Sequence, residues 1–150
     1  MCMTFYIGSN VPLVKINFDK NSPSFHTMEL SQEEQLVTGH FSSSNVLYMG
    51  SDLGCGCGFK HSLLEKAGLW YDVVDENDED VKSTLINHQN LIKYLTSILQ
   101  KEEKIEIYAC WDGNHVQKPQ WLEKLTPADL ENENFYFKEN GFYTITNKTS

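Results

Sequence analysis

Five consecutive residues, Gly54-Cys55-Gly56-Cys57-Gly58, combine two thiols with three glycines. Glycine reaches backbone conformations closed to other residues and leaves neighbouring N–H groups uncovered. Three chemistries suit that composition. The first is anion or ligand binding on backbone N–H groups where the loop feeds a helix, with Gly54, Gly56 and Gly58 as the binding positions. The spacing departs from the dinucleotide fingerprint, since the third glycine comes one residue early, and no Gly-Lys-Ser/Thr follows. The second is metal binding by Cys55, Cys57 and His61, which read Cys-x-Cys-x-x-x-His and suit zinc or another borderline-soft ion. That set is incomplete, and a fourth ligand has to come from afar, with His115 or Cys110 the candidates. The third is thiol chemistry. A cysteine near a helix N-terminus has a lowered pKa, and Cys57 has that place if a helix starts near Phe59. Against all three stands packing: cysteine outside disulfides is among the most buried residue types. On the residues alone, packing is favoured.

A second cluster is Trp111-Asp112-Gly113-Asn114-His115, which offers a carboxylate, an amide and an imidazole beside a large aromatic. With Cys57 as nucleophile, His115 is the candidate base and Asp112 the residue that orients it. Trp111 is a candidate ligand contact. Asp-Gly-Asn also makes a tight turn, and the turn is the favoured reading, although a turn and a site can coexist.

The two clusters are brought together only if the surrounding elements put them at one place. Val46 to Gly50 reads as an apolar strand feeding the cysteine loop. Ile105 to Trp111 reads as a strand with Ile105, Ile107, Ala109 and Trp111 on one face and Glu106, Tyr108 and Cys110 on the other. Between them lies the longest helix, about 78–101, whose apolar stripe is Val81, Leu85, His88, Ile92, Leu95 and Leu99. A crossover of this kind joins strands that point the same way, so the loops after both strands share one sheet edge, where open α/β sheets bind ligands.

The remaining elements complete a sheet. Thr4 to Ile7 and Ser24 to Leu30 read as strands. Ser31 with Glu34 is a capping-box pair opening a short helix to about Gly39. Phe59 to Lys66 reads as a short helix ended by Gly68, and Pro119 to Leu125 as a helical turn. Thr126-Pro127 with Asp129 opens another helix. Asn140-Gly141 supplies the positive φ angles of a tight turn, which predicts a C-terminal hairpin over about 135–146. Two strand ends echo each other, Ile7-Gly8-Ser9 and Met49-Gly50-Ser51. The predicted fold is a single α/β domain over 1–146 with a frayed tail at 147–150. Its core is a mixed sheet of about five to six strands with one long helix and several short ones.

The chain has 150 residues, 40% apolar and 12% aromatic, with a formal net charge of −9. That is enough for a real core, and the charge works against nucleic acid and anionic membranes as partners. It suits a basic protein partner, with Asp72, Asp75, Glu76, Asp78, Glu79 and Asp80 as its densest stretch. Those residues do not fit an EF-hand loop, and a solvated helix start explains them better. No segment is apolar enough to span a bilayer, and the first residues do not form a signal peptide, which points to a soluble cytoplasmic protein with thiols rather than disulfides. His88 reads as a core histidine. Two functions follow as expectations: a small-ligand or metal-binding domain built on the two loops, with a thiol-dependent enzyme as its catalytic form, or an acidic non-enzymatic binder of basic proteins such as an inhibitor or immunity protein.

Overall fold

The computed structural model of the chain describes residues 3–17, 25–51, 53–61 and 79–147. Six strands form one mixed sheet: β1 (Met3–Ser9), β2 (His26–Met28), β3 (Asn45–Gly50), β4 (Lys104–Trp111), β5 (Trp121–Leu125) and β6 (Gly141–Thr146). Their order across the sheet is β2-β3-β1-β4-β6-β5. Among the six described strands, β5 and β6 pair in parallel and the other ladders are antiparallel. Because β3 and β4 each run antiparallel to β1, they run in the same direction as each other. Their C-terminal ends therefore reach one edge of the sheet, with the start of β1 between them.

The period-two alternation of β1 and β4 builds two different faces. Met3, Phe5 and Ile7 of β1, with Ile105, Ile107 and Ala109 of β4, enter the larger core. Tyr6, Tyr108 and Cys110 point the other way into a smaller cluster with Val37, Tyr48 and Phe142. The long helix α1 (Glu79–Leu99) covers the larger face with Leu91, Ile92, Tyr94, Leu95, Ile98 and Leu99. Leu91 and Leu95 are wholly buried, and each such side chain contributes about 1.5–3 kcal/mol. The buried face of α1 turns slightly from the expected stripe: His88 is inside, but Leu85 is 41% exposed while Asn87 is fully buried. The smaller face is covered by the 3₁₀ helix Glu34–His40 and its flanking loops. Ser31 and Glu34 cap that helix reciprocally, as their spacing predicts.

Three local expectations are corrected or refined. Trp121–Leu125 is a strand and not a helical turn, because β6 offers it a free backbone edge, and Glu123 and Leu125 are its half-buried positions. No helix opens at Phe59. The backbone makes a single 3₁₀ turn over Gly56–Gly58 and then extends at Phe59 (φ −86°, ψ 165°). The C-terminal turn forms at Asn140 (φ 58°), with the Gly141 N–H donating to the Lys138 carbonyl at 3.0 Å. Its second arm, β6, finds ladders in β4 and β5, while Phe137 in the first arm bridges His61. α2 (Pro127–Leu130) carries the capping box predicted from Thr126 and Asp129. The residues predicted as helix over 62–66 and the acidic positions 72–78 lie outside the described residues. Among the described residues no helix is long and apolar enough to cross a membrane.

Candidate functional site at the sheet rim

The loop after β3 is organised by one hydroxyl. Ser51 is fully buried. Its Oγ accepts from the N–H groups of Leu53 (3.3 Å) and Gly58 (3.1 Å) and donates to the Cys55 carbonyl at 2.6 Å. The Ser51 N–H reaches the same carbonyl at 2.8 Å, and Gly54 N–H returns to the Ser51 carbonyl at 3.1 Å. Ser9, at the end of β1, likewise accepts from the N–H two residues on, at 3.1 Å from Val11. The echo between the two strand ends is thus shared turn chemistry.

This wiring changes the roles expected of the glycines. The N–H groups of Leu53, Gly54, Gly58 and Phe59 are used inside the loop, so they are not offered to an anion. Gly56 and Gly58 are instead places of close approach. A side chain at Gly56 would run into the Phe5 ring and the Met3 carbonyl, and one at Gly58 into Ser51 and Asn87. Gly54 needs its left-handed backbone (φ +82°). Its carbonyl accepts from the Tyr48 hydroxyl at 3.0 Å, which ties the loop to the smaller face while Gly56 and Cys57 press on the larger one.

Cys55 and Cys57 are both half-buried, and neither is in a disulfide. The Met3 N–H donates to Cys57 Sγ at 3.3 Å. Met3 pairs across the ladder with Trp111, so Met3, Trp111 and Cys57 all lie against the same face of the sheet. The two loops therefore meet at the rim, as the strand directions require.

They do not meet in the expected pairing. His115 lies on the opposite face, its ring edge-on to Tyr6 with centroids 5.9 Å apart. It is only 5% exposed, and the His40 Nε2–H donates to its carbonyl at 2.8 Å. Asp112 Oδ1 stands 3.9 Å from His115 Nε2, so that carboxylate and imidazole are neighbours. Cys57 and His115 project onto different faces of β1 and do not form a nucleophile–base pair. Cys55, Cys57 and His61 are the residues expected as metal ligands. Among the described residues no three His, Cys, Asp or Glu side chains are grouped to hold a metal. His61 turns its Nε2 to the Cys57 carbonyl at 3.3 Å, and burial holds its pKa below the ordinary imidazole value.

Sequence reasoning gave no chemistry to Lys60 or Glu106 and offered Cys110 only as a distant metal ligand. Lys60, one residue before His61, is buried. Its Nζ donates to the Glu133 carbonyl at 3.2 Å and lies 5.1 Å from the Tyr136 ring centroid, and burial lowers its pKa. Glu106 is a buried carboxylate that accepts from the N–H groups of Ser42 (3.1 Å) and Ser43 (2.8 Å) and from the Ser43 hydroxyl. Cys110 is fully buried, and its thiol is pushed up to about 11, chiefly by burial. At neutral pH it is a neutral thiol with no nucleophilic character. Its inward alternation in β4 was the signal available for this. An open groove of about 940 Å³ lies at the other end of the strands. There Lys101, Lys104 and Lys124 are balanced by Glu102, Glu103 and Asp129, which selects no charge of ligand.

Comparison of the chain with protein-family models, with curated proteins and with solved structures finds no match.

Proposed function

We propose that the chain is a small-molecule-binding domain whose working group is the Cys57 thiol at the rim between β3 and β4, with Trp111 as the aromatic wall beside it. The observation that carries this reading is the Met3 N–H on Cys57 Sγ at 3.3 Å. A donor on the sulfur favours the thiolate, the form that attacks electrophiles. The N–H comes from the sheet and not from a helix terminus, so it stays in place without the helix expected at Phe59. Cys57 as a residue is half-buried, in contrast to the buried Cys110. A small aromatic electrophile fits this pair of groups: the thiolate forms the bond and the indole takes the ring.

Two reagents of different shape test the reading on the native chain. One is iodoacetamide, which alkylates the thiolate: the sulfur bonds to its methylene carbon and iodide leaves. The other is an aromatic disulfide such as dithiobis-nitrobenzoate, which yields a mixed disulfide and one aromatic thiolate. Cys57 should react in the folded protein, and Cys57→Ser should abolish that phase. Trp111→Ala should slow the aromatic reagent several-fold more than iodoacetamide. A Cys57 thiol that resists both reagents until the protein unfolds would sink the proposal and leave packing as the role of the loop.

A further inference from the structure

The sheet ends in two edge strands, β2 and β5, and they are finished differently. The outer side of β2 is covered. The Thr27 N–H donates to the Ile16 carbonyl at 3.0 Å, and the Thr27 hydroxyl donates to the Val14 carbonyl at 2.9 Å. No described strand lies beyond β5. Trp121 there is 50% exposed and Leu122 77% exposed.

The pairing with β6 decides which backbone groups that edge presents. The Trp121 N–H donates to the Asn140 carbonyl at 3.3 Å, in a register that sets Trp121 opposite Gly141. A strand residue points both its backbone groups to one side, and the side alternates along the strand. Trp121, Glu123 and Leu125 therefore turn theirs to β6, and the N–H and C=O of Leu122 and Lys124 face outwards. Such a row is a template for another extended chain.

We propose that the β5 edge is a dimer interface, filled by β5 of a second copy of this chain running antiparallel about a two-fold axis. Self-complementarity selects a second copy. A two-fold axis normal to the sheet keeps every side chain on its own face, so residues that oppose each other differ by an even number of positions. Four registers can then be centred on the strand, and like charges directly opposite destabilise a pair. Centring on Glu123 or on Lys124 sets that charge against itself. Centring on Trp121 sets Lys118 against Lys124. Centring on Leu122 opposes no like charges. In that register Leu122 meets Leu122 of the second copy, and the two exchange their outward N–H and C=O groups. Trp121 meets Glu123, and Gln120 meets Lys124.

Two details fit this register. Lys138 Nζ lies 4.8 Å from the Trp121 ring centroid and holds Glu123 at 2.8 Å, so the Trp121–Glu123 face brings a balanced ion pair from each copy. Pro119 falls opposite Leu125, whose backbone groups face β6, so the N–H that proline lacks is not needed there. The formal net charge of −9 works against self-association, and added salt should strengthen the dimer by screening it. The interface is independent of the thiol reading.

Analytical ultracentrifugation of the full chain over about 10–500 µM tests it, the range expected of a small edge-to-edge contact. The wild-type chain should pass from monomer to dimer. Leu122→Glu and Leu122→Lys should each weaken association about tenfold or more, because each sets like charges across the axis. An equimolar mixture of the two variants should dimerise again, since the introduced charges then oppose each other. Leu122 is exposed, and an unchanged unfolding midpoint checks that both variants keep the fold. Hydrogen exchange at the Leu122 amide should slow as concentration rises, while the Glu123 amide, turned to β6, should not respond. A wild-type chain that stays monomeric throughout would overturn the proposal and leave the edge to an extended segment of another protein. Dimerisation untouched by Leu122→Glu, or not restored in the mixture, would overturn it as well.

Discussion

Acid should destabilise this protein through His88, and the size of the effect follows from where the ring lies. His88 sits on the inner side of α1 at 5% exposure. Its Nε2–H donates to the Leu130 carbonyl at 2.7 Å, and the rings of Phe135 and Phe137 stand with centroids 6.1 Å away. Its Nδ1 has no partner. Burial pulls its pKa from 6.5 down to about 4, the Leu130 bond opposing this and the charge of Lys60 adding to it. The folded pKa is thus below the unfolded one, so on acidification the unfolded chain takes the proton first. The stability that His88 contributes is intact above about pH 6.5 and is lost as pH falls towards about 4. At about 1.36 kcal/mol per unit, that interval amounts to about 3 kcal/mol, a large share of the 5–15 kcal/mol typical of a folded domain. His61 works in the same direction, since burial lowers its pKa as well.

The assay is urea unfolding of the wild-type chain and His88→Gln at several values from about pH 7 to about pH 4.5, where the linkage slope is expressed. Glutamine keeps a donor for the Leu130 carbonyl but cannot titrate. The variant starts less stable, and its stability should fall less steeply, by up to about 1.4 kcal/mol per pH unit over the lower half of the range. Parallel slopes for the two proteins, with a His88 ring that titrates at or above its ordinary value, would refute the reasoning.

Two further outcomes bear on the packing of the rim and of the smaller face. Gly56→Ala and Gly58→Ala should each cost about 1–3 kcal/mol in unfolding free energy from overpacking, against roughly 1–2 kcal/mol for Gly54→Ala, where only the positive φ is at stake. Wild-type stability in Gly56→Ala would mean that the loop does not press on Phe5. Glu106→Ala should lose about 1–3 kcal/mol, because the N–H groups of Ser42 and Ser43 lose their acceptor. Thermal unfolding measures it, and an unchanged midpoint would show those donors taken up by water.

Much of the scaffold was legible because its signals are local. The alternation of Ile105, Ile107 and Ala109 against Tyr108 and Cys110 names the two faces of β4 before any partner is known. The Ser31–Glu34 and Thr126–Asp129 pairs mark their helix starts by spacing alone. β5 was missed because its partner is remote: Trp121 pairs with Gly141 and Leu125 with Ile145. An exposed edge strand has no continuous apolar face to betray it. Leu122 is 77% exposed, and Glu123 is held by Lys138 at 2.8 Å rather than by neighbours in sequence. The tight Asn140-Gly141 turn was visible, but not that its second arm would find its ladders in β4 and β5.

The site divides along the same line between local and distant information. That the two loops share an edge follows from strand direction, and β3 and β4 do run the same way with β1 between them. Which face each loop takes depends on register, which no spacing in either loop contains. Met3 opposite Trp111 fixes it. Residues opposite each other in an antiparallel ladder share a face, so Trp111 is committed to the face of Met3 and Phe5. Cys57, held by the Met3 N–H, joins it there. The chain then reverses at Gly113, and His115 emerges against Tyr6, the next face along β1. A one-residue slip of β4 against β1 would exchange the two, turning the imidazole towards the thiol and the indole away. The register therefore decides that the rim pairs a thiol with an indole and leaves the imidazole to Asp112. For that reason the Trp111→Ala comparison between the two reagents is the sharper test of the site, and a His115 variant should leave the rate of Cys57 alkylation at high pH unchanged.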